Sequence, residues 1–458
     1  MYKAFKISFN ILFIWISSIQ HYIEEVRKMY KTYIFPVKNQ ELARELAIAT
    51  GKIYSKVVSL KWRLWREKGI SVSNKTLEKY MEWYNKKKGF KIHSQSKQAA
   101  YQQYFEAQKG YFEVRKKYKE SGNQAGLDRL NPPYKTKKYN KVVYKTSAII
   151  VKDDGRIRLS NGGSGNKPLW LYFEKELNGI PKTAELIFNY TRREYEAHVT
   201  FKMADKEYEV NKDKVLTIDL GVIHPMVTFD GEQAKIYNGG ELNAKLQYRN
   251  KKVAEFQKKM AKCEKGSRRY RKLQRAKDRV LGNIKNQVTD LLEKYTSDVI
   301  ESCLKNQIGT IVIGDIRGIR NNAKFYKVVG QKIHQWTFGR IRKMLERKAK
   351  YVGIKVKLIN EAYTSQSCPE CGNKHKPRDR RYHCPQCGFE YHRDAVGAIN
   401  IYRKYHGESL QKADSYVVGE LASPVGVRYI PHLRCSSDWN ARPFKSGRSN
   451  VSLFEKVA

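Results

Sequence analysis

The sequence predicts a multidomain α+β protein, and three observations carry that prediction. Apolar residues recur at helical spacing in the first third of the chain, strand-like alternation follows at 141–207, and buried strands then alternate with helices at 214–405. Two Cys-x-x-Cys motifs interrupt this last block. A chain of 458 residues, 41% of them hydrophobic, is long enough to bury two or three separate cores.

The N-terminal half divides into an extension with an apolar run, a block of helices and a block of strands. The apolar run Ile7 to Ile19 is too short to span a bilayer, and charged residues rather than a cleavage site follow it. We therefore interpret residues 1–28 as an extension outside the core and expect no membrane contact. Residues 29–210 predict a small β-barrel or sandwich with a helical insertion at about 41–130.

The block from 211 to 406 has the element order of a ribonuclease-H-like α/β domain. Three strands meander, and then helix, strand, helix, strand and helix follow in turn. The predicted helices and later strands lie at 241–306, 310–316, 334–351, 354–360 and 394–405. After His406 the chain becomes polar and irregular, which predicts that residues 407–458 are a largely disordered tail.

The two Cys-x-x-Cys motifs predict a zinc ribbon at 363–391, inserted before the last helix. Their four thiolates would complete a closed tetrahedral shell around structural Zn²⁺, which leaves no open position for a substrate. The ligands would be Cys368, Cys371, Cys384 and Cys387. Two redox dithiols are the alternative, but the glycine after each second cysteine favours zinc knuckles. The other three cysteines are scattered, which suits a reducing cytoplasm.

The charge of the chain points to a polyanionic partner. Lys and Arg number 90 against 45 Asp and Glu, a net charge of +45. Nucleic acid would neutralise this excess, and each phosphate contact would add affinity by releasing counterions. Ribosomal, chromatin-like and membrane-surface proteins are the alternatives. A run on a predicted helix, Arg268, Arg269, Arg271 and Lys272, is a candidate for gripping the nucleic-acid backbone, although such runs are often only solvated.

Two aspartates lie where nucleases of the ribonuclease-H-like fold hold Mg²⁺. Asp219 ends the predicted strand VLTID, where a charge is costly unless it is paired or metal-bound. Asp394 opens the predicted final helix, and its alternative role is that of an N-cap. Carboxylates at such positions suit Mg²⁺, which prefers hard oxygen ligands and would assist phosphodiester hydrolysis.

Several motifs together resemble the TnpB (OrfB-type) proteins of insertion sequences, relatives of the miniature type V CRISPR nucleases. The resemblance spans about Met29 to Tyr405 and rests on IDLGV, IVIGDIRGIR, HQWTFGRIRKML, TSQSCPECG and CPQCGFEYHRDAVGAINI. It implies an RNA-guided DNA endonuclease with a RuvC-like nuclease domain at 211–406 and, at 29–210, a β-barrel wedge and helical recognition lobe. It further implies guide RNA and target DNA as partners, two-metal-ion cleavage with Mg²⁺, a bacterial or archaeal cytoplasm with association to the nucleoid, and a partner transposase encoded nearby.

One position departs from the pattern of this family. The usual second acid is a Glu in a motif such as IVIEDL, and this chain has Gly314 in IVIGDI. Glu361, at the end of the neighbouring predicted strand, is our candidate replacement as a catalytic magnesium ligand. Asp315 is a weaker candidate, because successive side chains of a strand point to opposite faces.

Two other functions stay open at this stage. A nuclease-inactive, RNA-guided DNA-binding protein would explain the missing Glu, whereas the presence of both Asp219 and Asp394 favours an active enzyme. A role in transposition, as a transposase or an accessory protein, is the third possibility, although the sequence offers no assignable signature for strand transfer.

Overall fold

The computed structural model describes residues 30–120, 131–163, 165–172, 179–203, 208–316, 331, 337–377, 379–407, 424–427 and 429. The chain divides into two units, residues 1–205 and 206–458, and each has its own core. The predicted extension at 1–28 lies outside the described residues, as does most of the predicted tail. No helix in the described ranges is long and apolar enough to cross a membrane.

Three helices form one part of the first unit. They are α1 (Gln40–Lys68), α2 (Asn74–Lys88) and α3 (Ser94–Glu120). Side-chain caps start the first two, since Asn39 accepts from the amide of Leu42 and Ser73 from that of Thr76. Apolar residues on the facing sides form one core, which includes Ile53, Val57, Leu77, Met81 and Tyr101.

Seven strands form two antiparallel sheets in the same unit. They are β1 (Tyr30–Pro36), β2 (Val142–Lys145), β3 (Ile149–Val151), β4 (Ile157–Leu159), β5 (Leu169–Leu171), β6 (Ile180–Asn189) and β7 (Glu194–Lys202). One sheet has the order β1-β7-β6-β2, and the other has the order β3-β4-β5. Because β1 precedes the helices and its partner β7 follows them, the helices are an insertion between strands of the first sheet.

The second unit is built on a six-stranded mixed sheet and a two-stranded hairpin. Its strands are β8 (Asn211–Asp219), β9 (Met226–Phe229), β10 (Ala234–Tyr237), β11 (Ile308–Asp315), β12 (Lys355–Asn360), β13 (Arg381–His383), β14 (Glu390–His392) and β15 (Val425–Val427). The large sheet has the order β12-β11-β8-β9-β10-β15, and β13 pairs with β14. Strand β11 is parallel to both β8 and β12, so these three strands end at the same edge of the sheet.

Helices cover both faces of this sheet. They are α4 (Gly240–Ala261), α5 (Arg268–Lys305), α6 (Phe338–Tyr351) and α7 (Arg393–Tyr405). Alternate residues of β8 and β11 face opposite sides: Leu216 and Ile313 join the core under α5 and α6, whereas Val215 and Val312 contact Ile401 of α7. Full burial of one such side chain contributes about 1.5–3 kcal/mol. The face covered by α7 carries the acidic residues described below.

The expectation of a disordered tail is wrong for the segment around Val427. Strand β15 pairs in parallel with β10, and Val427 and Tyr429 are buried in the main core. The ring of Tyr429 lies 5.5 Å from that of Tyr295 on α5, measured between centroids. This short strand is stabilised by pairing with the sheet edge and by core contacts, neither of which the polar composition of its surroundings discloses.

Candidate metal centre and acidic site

The four cysteines of the ribbon converge on one point. The Sγ atoms of Cys368 and Cys387 lie 3.6 Å apart and those of Cys371 and Cys384 lie 3.5 Å apart. All four sulfurs lie within 4.8 Å of one another, and no other three or more described His, Cys, Asp or Glu residues come together in this way. Tetrahedral Zn–S bonds of about 2.3 Å require sulfurs about 3.8 Å apart, so this set can hold zinc.

The backbone explains the glycine after each motif. Gly372 and Gly388 have φ angles of +72° and +76°, a conformation that glycine adopts without steric cost. In each knuckle the glycine amide donates to the carbonyl of the first cysteine, at 3.0 Å in both cases. The contacts between sulfurs of different knuckles suit one shared metal, which favours zinc over two separate redox dithiols.

Asp219 lies at the end of β8, against the helix α7. The side chain of Thr217, on the same face of β8, donates to the carbonyl of Ala398 at 2.8 Å, which fixes the helix on the strand. The Asp219 carboxylate occupies the space in which a side chain at Gly397 would begin. Glycine at this position therefore allows the helix to approach the carboxylate closely.

Glu361 extends over Gly314. Gly314 pairs with Ile359 of β12, and Glu361 follows the end of that strand. A Cβ atom built on Gly314 would lie 2.5 Å from Oε2 of Glu361 and 3.2 Å from its Cβ. The Oε2 atom is buried and has no hydrogen-bond partner among the residues that the structure describes. The structure thus places the Glu361 carboxylate where the side chain of a Glu at position 314 would begin. Its role as a metal ligand stays a prediction.

The charges of these acids act on one another. Burial raises the pKa of Asp219 to about 8, and repulsion from Glu361 and Asp394 adds to the effect. Burial and the charge of Asp315 raise the pKa of Glu361 to about 7. Strand alternation predicts that Asp315 points away from the site. Its charge nevertheless acts on Glu361, because both residues lie at the same edge of the sheet. A divalent cation would relieve this repulsion.

Asp394 is held by cationic partners in the first turn of α7. Burial alone would raise the pKa of Asp394, but the hydrogen bond from His224 and the charges of Arg380 and Arg393 lower it well below its usual range. Nδ1 of His224 lies 2.7 Å from Oδ2, and one guanidinium nitrogen of Arg380 donates to both carboxylate oxygens at 2.6 and 2.7 Å.

The alternative role of Asp394 as an N-cap is wrong. The cap of α7 is His392, whose ring nitrogen accepts from the backbone amide of Asp394 at 3.3 Å. The side chain of Asp394 is therefore available for the contacts with Arg380 and His224. Sequence reasoning missed both of these residues, since nothing distinguishes Arg380 from its basic neighbours and His224 lies 170 positions from its partner.

The acidic residues fit a divalent cation on chemical grounds. Asp219 and Glu361 supply hard oxygen atoms whose charge is unfavourable without a cation, and one of these atoms is buried and unpaired. Asp394 could contribute an oxygen in addition to its bonds with Arg380. The three carboxylates are not as tightly grouped as the four thiols, since they do not meet the 4.8 Å spacing.

The predicted basic run lies at the start of α5. Arg268, Arg269, Arg271 and Lys272 are all exposed, and the helix has no acidic residue in its first turn. Cations are unfavourable beside the positive end of a helix dipole unless an anion binds there. The run is therefore accessible to a phosphate backbone, and its role as a nucleic-acid contact stays a prediction.

Comparison with known proteins identifies two family matches along the chain. Residues 198–320 match the family described as a probable transposase, OrfB_IS605, and residues 338–401 match the Cas12f1-like TNB domain. The second match contains Glu361, the four cysteines and Asp394. The chain is similar to TnpB and Cas12f1 proteins. This finding confirms the resemblance inferred from the sequence motifs.

Individual relatives extend the similarity over most of the chain. The TnpB-like protein MJ0751 of Methanocaldococcus jannaschii is 28% identical over 42% of this chain and 70% of that protein. The TnpB-like protein ORF457 of Acidianus two-tailed virus is 24% identical over 83% and 85% of the two chains. The CRISPR-associated endodeoxyribonuclease Cas12f1 of Sulfoacidibacillus thermotolerans is 25% identical over 48% of this chain and about half, 52%, of its own length.

A solved structure supports the similarity of fold. A Cas12f1 protein in a complex with sgRNA and target DNA matches 79% of this chain and 82% of its own, with a TM-score of 0.50 and 13% identity. At that identity the likeness concerns the fold alone. The mixed α/β fold of this chain is therefore shared with a Cas12f1 protein.

Removal of one thiol should abolish metal binding by the ribbon. We expect Cys384→Ser to lower the zinc content from one ion per chain to none and to unfold residues 363–391, because so small a segment cannot bury a core of its own. Elemental analysis and hydrogen exchange would measure the two effects. Cys263→Ser, outside the ribbon, is the matched control, and wild-type protein without zinc after purification free of chelators would contradict the assignment.

The raised pKa of Asp219 should make the stability of the protein depend on pH. Between the unfolded pKa, about 3.9, and the folded pKa, the folded state binds this proton more tightly, so the free energy of unfolding falls as pH rises. We expect Asp219→Asn to raise the Tm at pH 8.5, by about 2–4 °C for each kcal/mol of the relieved cost of ionisation, and to leave it nearly unchanged at pH 4. Thermal unfolding without divalent metal measures this, and a variant less stable than wild type at pH 8.5 would refute it.

Proposed function

We propose that this chain is an RNA-guided DNA endonuclease of transposon origin. Asp219, Glu361 and Asp394 would hold Mg²⁺ in a RuvC-like nuclease domain, and the four cysteines would hold a structural zinc. Relatives named as CRISPR-associated endodeoxyribonucleases support the reaction class. A fold match to a Cas12f1 protein captured with sgRNA and target DNA supports guide RNA and DNA as partners. The site of action would be the cytoplasm of a bacterium or archaeon.

The position of Glu361 is the single observation that carries the enzymatic proposal. Its unpaired carboxylate oxygen lies 2.5 Å from the point at which a side chain on Gly314 would begin. A chain that had merely lost its second acid would have no reason to bury another carboxylate in the same space, because an unpaired buried charge is costly. The arrangement supports an acid that has been relocated.

In this proposal the residues of the site have different roles in hydrolysis. Bound Mg²⁺ would supply activation of water and stabilisation of the leaving oxygen. Asp219 and Glu361 would provide negative oxygens at the end of the parallel strands, and Asp394 would provide another from the first turn of α7. Arg380 and His224 orient the Asp394 carboxylate through the hydrogen bonds described above. They are therefore positioning residues in this proposal.

Exposed aromatic rings on the helices of the first unit support contact with nucleic acid. Trp65 on α1 and Trp83 on α2 are 56% and 54% exposed, which is unusual for side chains of this size. Lys87 lies 5.1 Å from the ring centre of Trp83, so a cation accompanies the ring. Rings beside cations can stack on unpaired bases while the charges contact phosphates. This surface could contact the guide RNA or the target strand.

A nuclease-inactive, RNA-guided DNA-binding protein is the second candidate. Gly314 favours it, and so does Arg380, which donates to both oxygens that Asp394 would offer to a metal. Under this alternative the chain would bind guide and target but leave the DNA intact. A transposition role, in keeping with the description of the matched transposase family, would instead require DNA strand transfer, with a partner transposase encoded nearby.

Substitution of Glu361 tests the enzymatic proposal. We expect Glu361→Gln to lower the cleavage rate by at least about 100-fold while guide and target binding are retained, because a charged metal ligand is lost and side-chain volume hardly changes. Asp219→Asn and Asp394→Asn should act alike. The measurement is cleavage of labelled target by protein with the RNA that co-purifies with it, alongside binding of that target.

Transplantation of the acid supplies the control for this test. Gly314→Glu combined with Glu361→Ala should restore part of the cleavage, since the alanine removes the carboxylate that the new Cβ would meet at 2.5 Å. The single variant Glu361→Ala is its matched control. Full activity of Glu361→Gln would refute the relocation, and binding without cleavage by the wild-type protein would favour the nuclease-inactive alternative.

Charge reversal at the start of α5 tests the proposed backbone contact. Changing Arg268, Arg269, Arg271 and Lys272 to Glu should weaken RNA binding irrespective of sequence. It should also flatten the dependence of log affinity on log salt concentration by about 0.7–0.9 for each lost phosphate contact. A filter-binding series over salt concentration measures the slope. The matched control reverses four exposed cations on α3, Arg115, Lys116, Lys117 and Lys119. Equal losses of RNA affinity in both variants would show that the basic run on α5 has no specific role.

A further inference from the structure

Two fully buried polar residues of α7 hold the segment that leads into the zinc ribbon. Nδ2 of Asn400 donates to the carbonyls of Thr364 and Ser367, at 2.7 Å in both cases. One turn later, a guanidinium nitrogen of Arg403 donates to the carbonyl of Pro369 at 2.8 Å. Both side chains have no exposed surface. Buried donors of this kind fix the backbone that they contact, because loss of the bond leaves a carbonyl unsatisfied.

The segment held in this way carries one residue of each metal site. Glu361 lies at its start, and Cys368, the first zinc ligand, follows seven positions later. The turn between them is closed by Thr364, whose amide and hydroxyl both donate to the carbonyl of Glu361, at 3.2 and 2.8 Å.

Backbone strain in this turn makes its supports important. Tyr363 has a φ angle of +66°, a backbone conformation that residues other than glycine rarely adopt. Such a residue keeps its conformation only when surrounding contacts enforce it. The carbonyl of Tyr363 accepts from the amides of Gln366 and Ser367, at 3.0 and 3.2 Å. The hydrogen bonds from Asn400 to the carbonyls on either side of Gln366 hold the same turn against α7.

We propose that Asn400 is a positioning residue that couples the zinc ribbon to the acidic site, so that zinc occupancy determines where Glu361 lies. The inference rests on the proposed function, since it assumes that Glu361 is a ligand of a divalent cation. It follows from the relocation itself. An acid at position 314 would lie on β11, whose position is fixed by pairing with β8 and β12 and not by the ribbon. An acid at position 361 lies in a turn whose other end is a zinc ligand.

Binding of Mn²⁺ to the full chain, without nucleic acid, tests the coupling independently of cleavage. Asn400→Leu keeps the approximate shape and removes the donor. We expect it to raise the Kd for Mn²⁺ by up to about 10-fold, the lower end of the effect of losing a direct outer partner of a metal ligand, because Asn400 reaches Glu361 only through Thr364. The zinc content should stay unchanged. Electron paramagnetic resonance of free Mn²⁺ measures the Kd, and hydrogen exchange should increase at 361–369. Lys404→Leu, on the same helix, is the matched control and should change neither quantity.

The transplanted acid provides the decisive comparison. In the background Gly314→Glu with Glu361→Ala, Asn400→Leu should leave the Kd for Mn²⁺ unchanged. Partial removal of zinc should raise the Kd less there than in the native background, because the ribbon still supplies Arg380 to Asp394 in both. In the native background Asn400→Leu and partial removal of zinc should both raise the Kd. If Asn400→Leu does not fold, Thr364→Val removes only the hydroxyl bond to Glu361 and should raise the Kd by a smaller factor.

The possible failures are distinguishable. An unchanged Kd in zinc-replete Asn400→Leu, with normal Mn²⁺ binding by wild type, would overturn the coupling and leave the proposed function intact. Equal effects of Asn400→Leu in both backgrounds would overturn it too, because they would indicate a general structural role. Absence of Mn²⁺ binding by the wild-type chain would overturn both proposals.

Discussion

The close approach of α7 to strand β8 is the constraint on which the second unit depends. It requires glycine at position 397, because the Asp219 carboxylate occupies the space beside it, and it is fixed by the bond from Thr217 to Ala398. The same helix carries Asp394 in its first turn and Asn400 in its second half. A displacement of this helix would therefore move the acidic site, the ribbon and one face of the sheet together.

Electrostatics divides the acids of this site into two kinds. The pKa of Asp219 and that of Glu361 are raised by burial and by neighbouring carboxylates, whereas Arg380 and His224 lower that of Asp394. Asp394 is thus ionised and oriented without a metal, while the other two hold their charge only at a cost. A bound cation would stabilise the ionised forms of Asp219 and Glu361 most. Asp394 would gain less, because Arg380 already places a positive charge beside it.

The acidic site also contrasts with the rest of the chain. A net charge of +45 favours binding of a polyanion, but a group of carboxylates without a cation repels a phosphate. Under the proposed function, affinity for the polyanion and placement of the scissile phosphate are therefore supplied by different parts of the molecule. The cation at the acidic site would then decide whether a bound strand can approach the carboxylates.

Much of the fold and part of the site could be predicted from the sequence because they depend on local patterns. Apolar periodicity located the helices and strands to within a few residues, cysteine spacing gave the ribbon, and the ends of a strand and a helix indicated Asp219 and Asp394. The remaining features depend on contacts between distant segments. The position of Glu361 over Gly314 follows from the register of two parallel strands, and the pairing of Arg380 and His224 with Asp394 follows from how the ribbon and a loop pack on α7. Burial of Val427 against the sheet likewise requires an edge that only the assembled strands create, because register and packing are properties of the folded chain and not of any one segment.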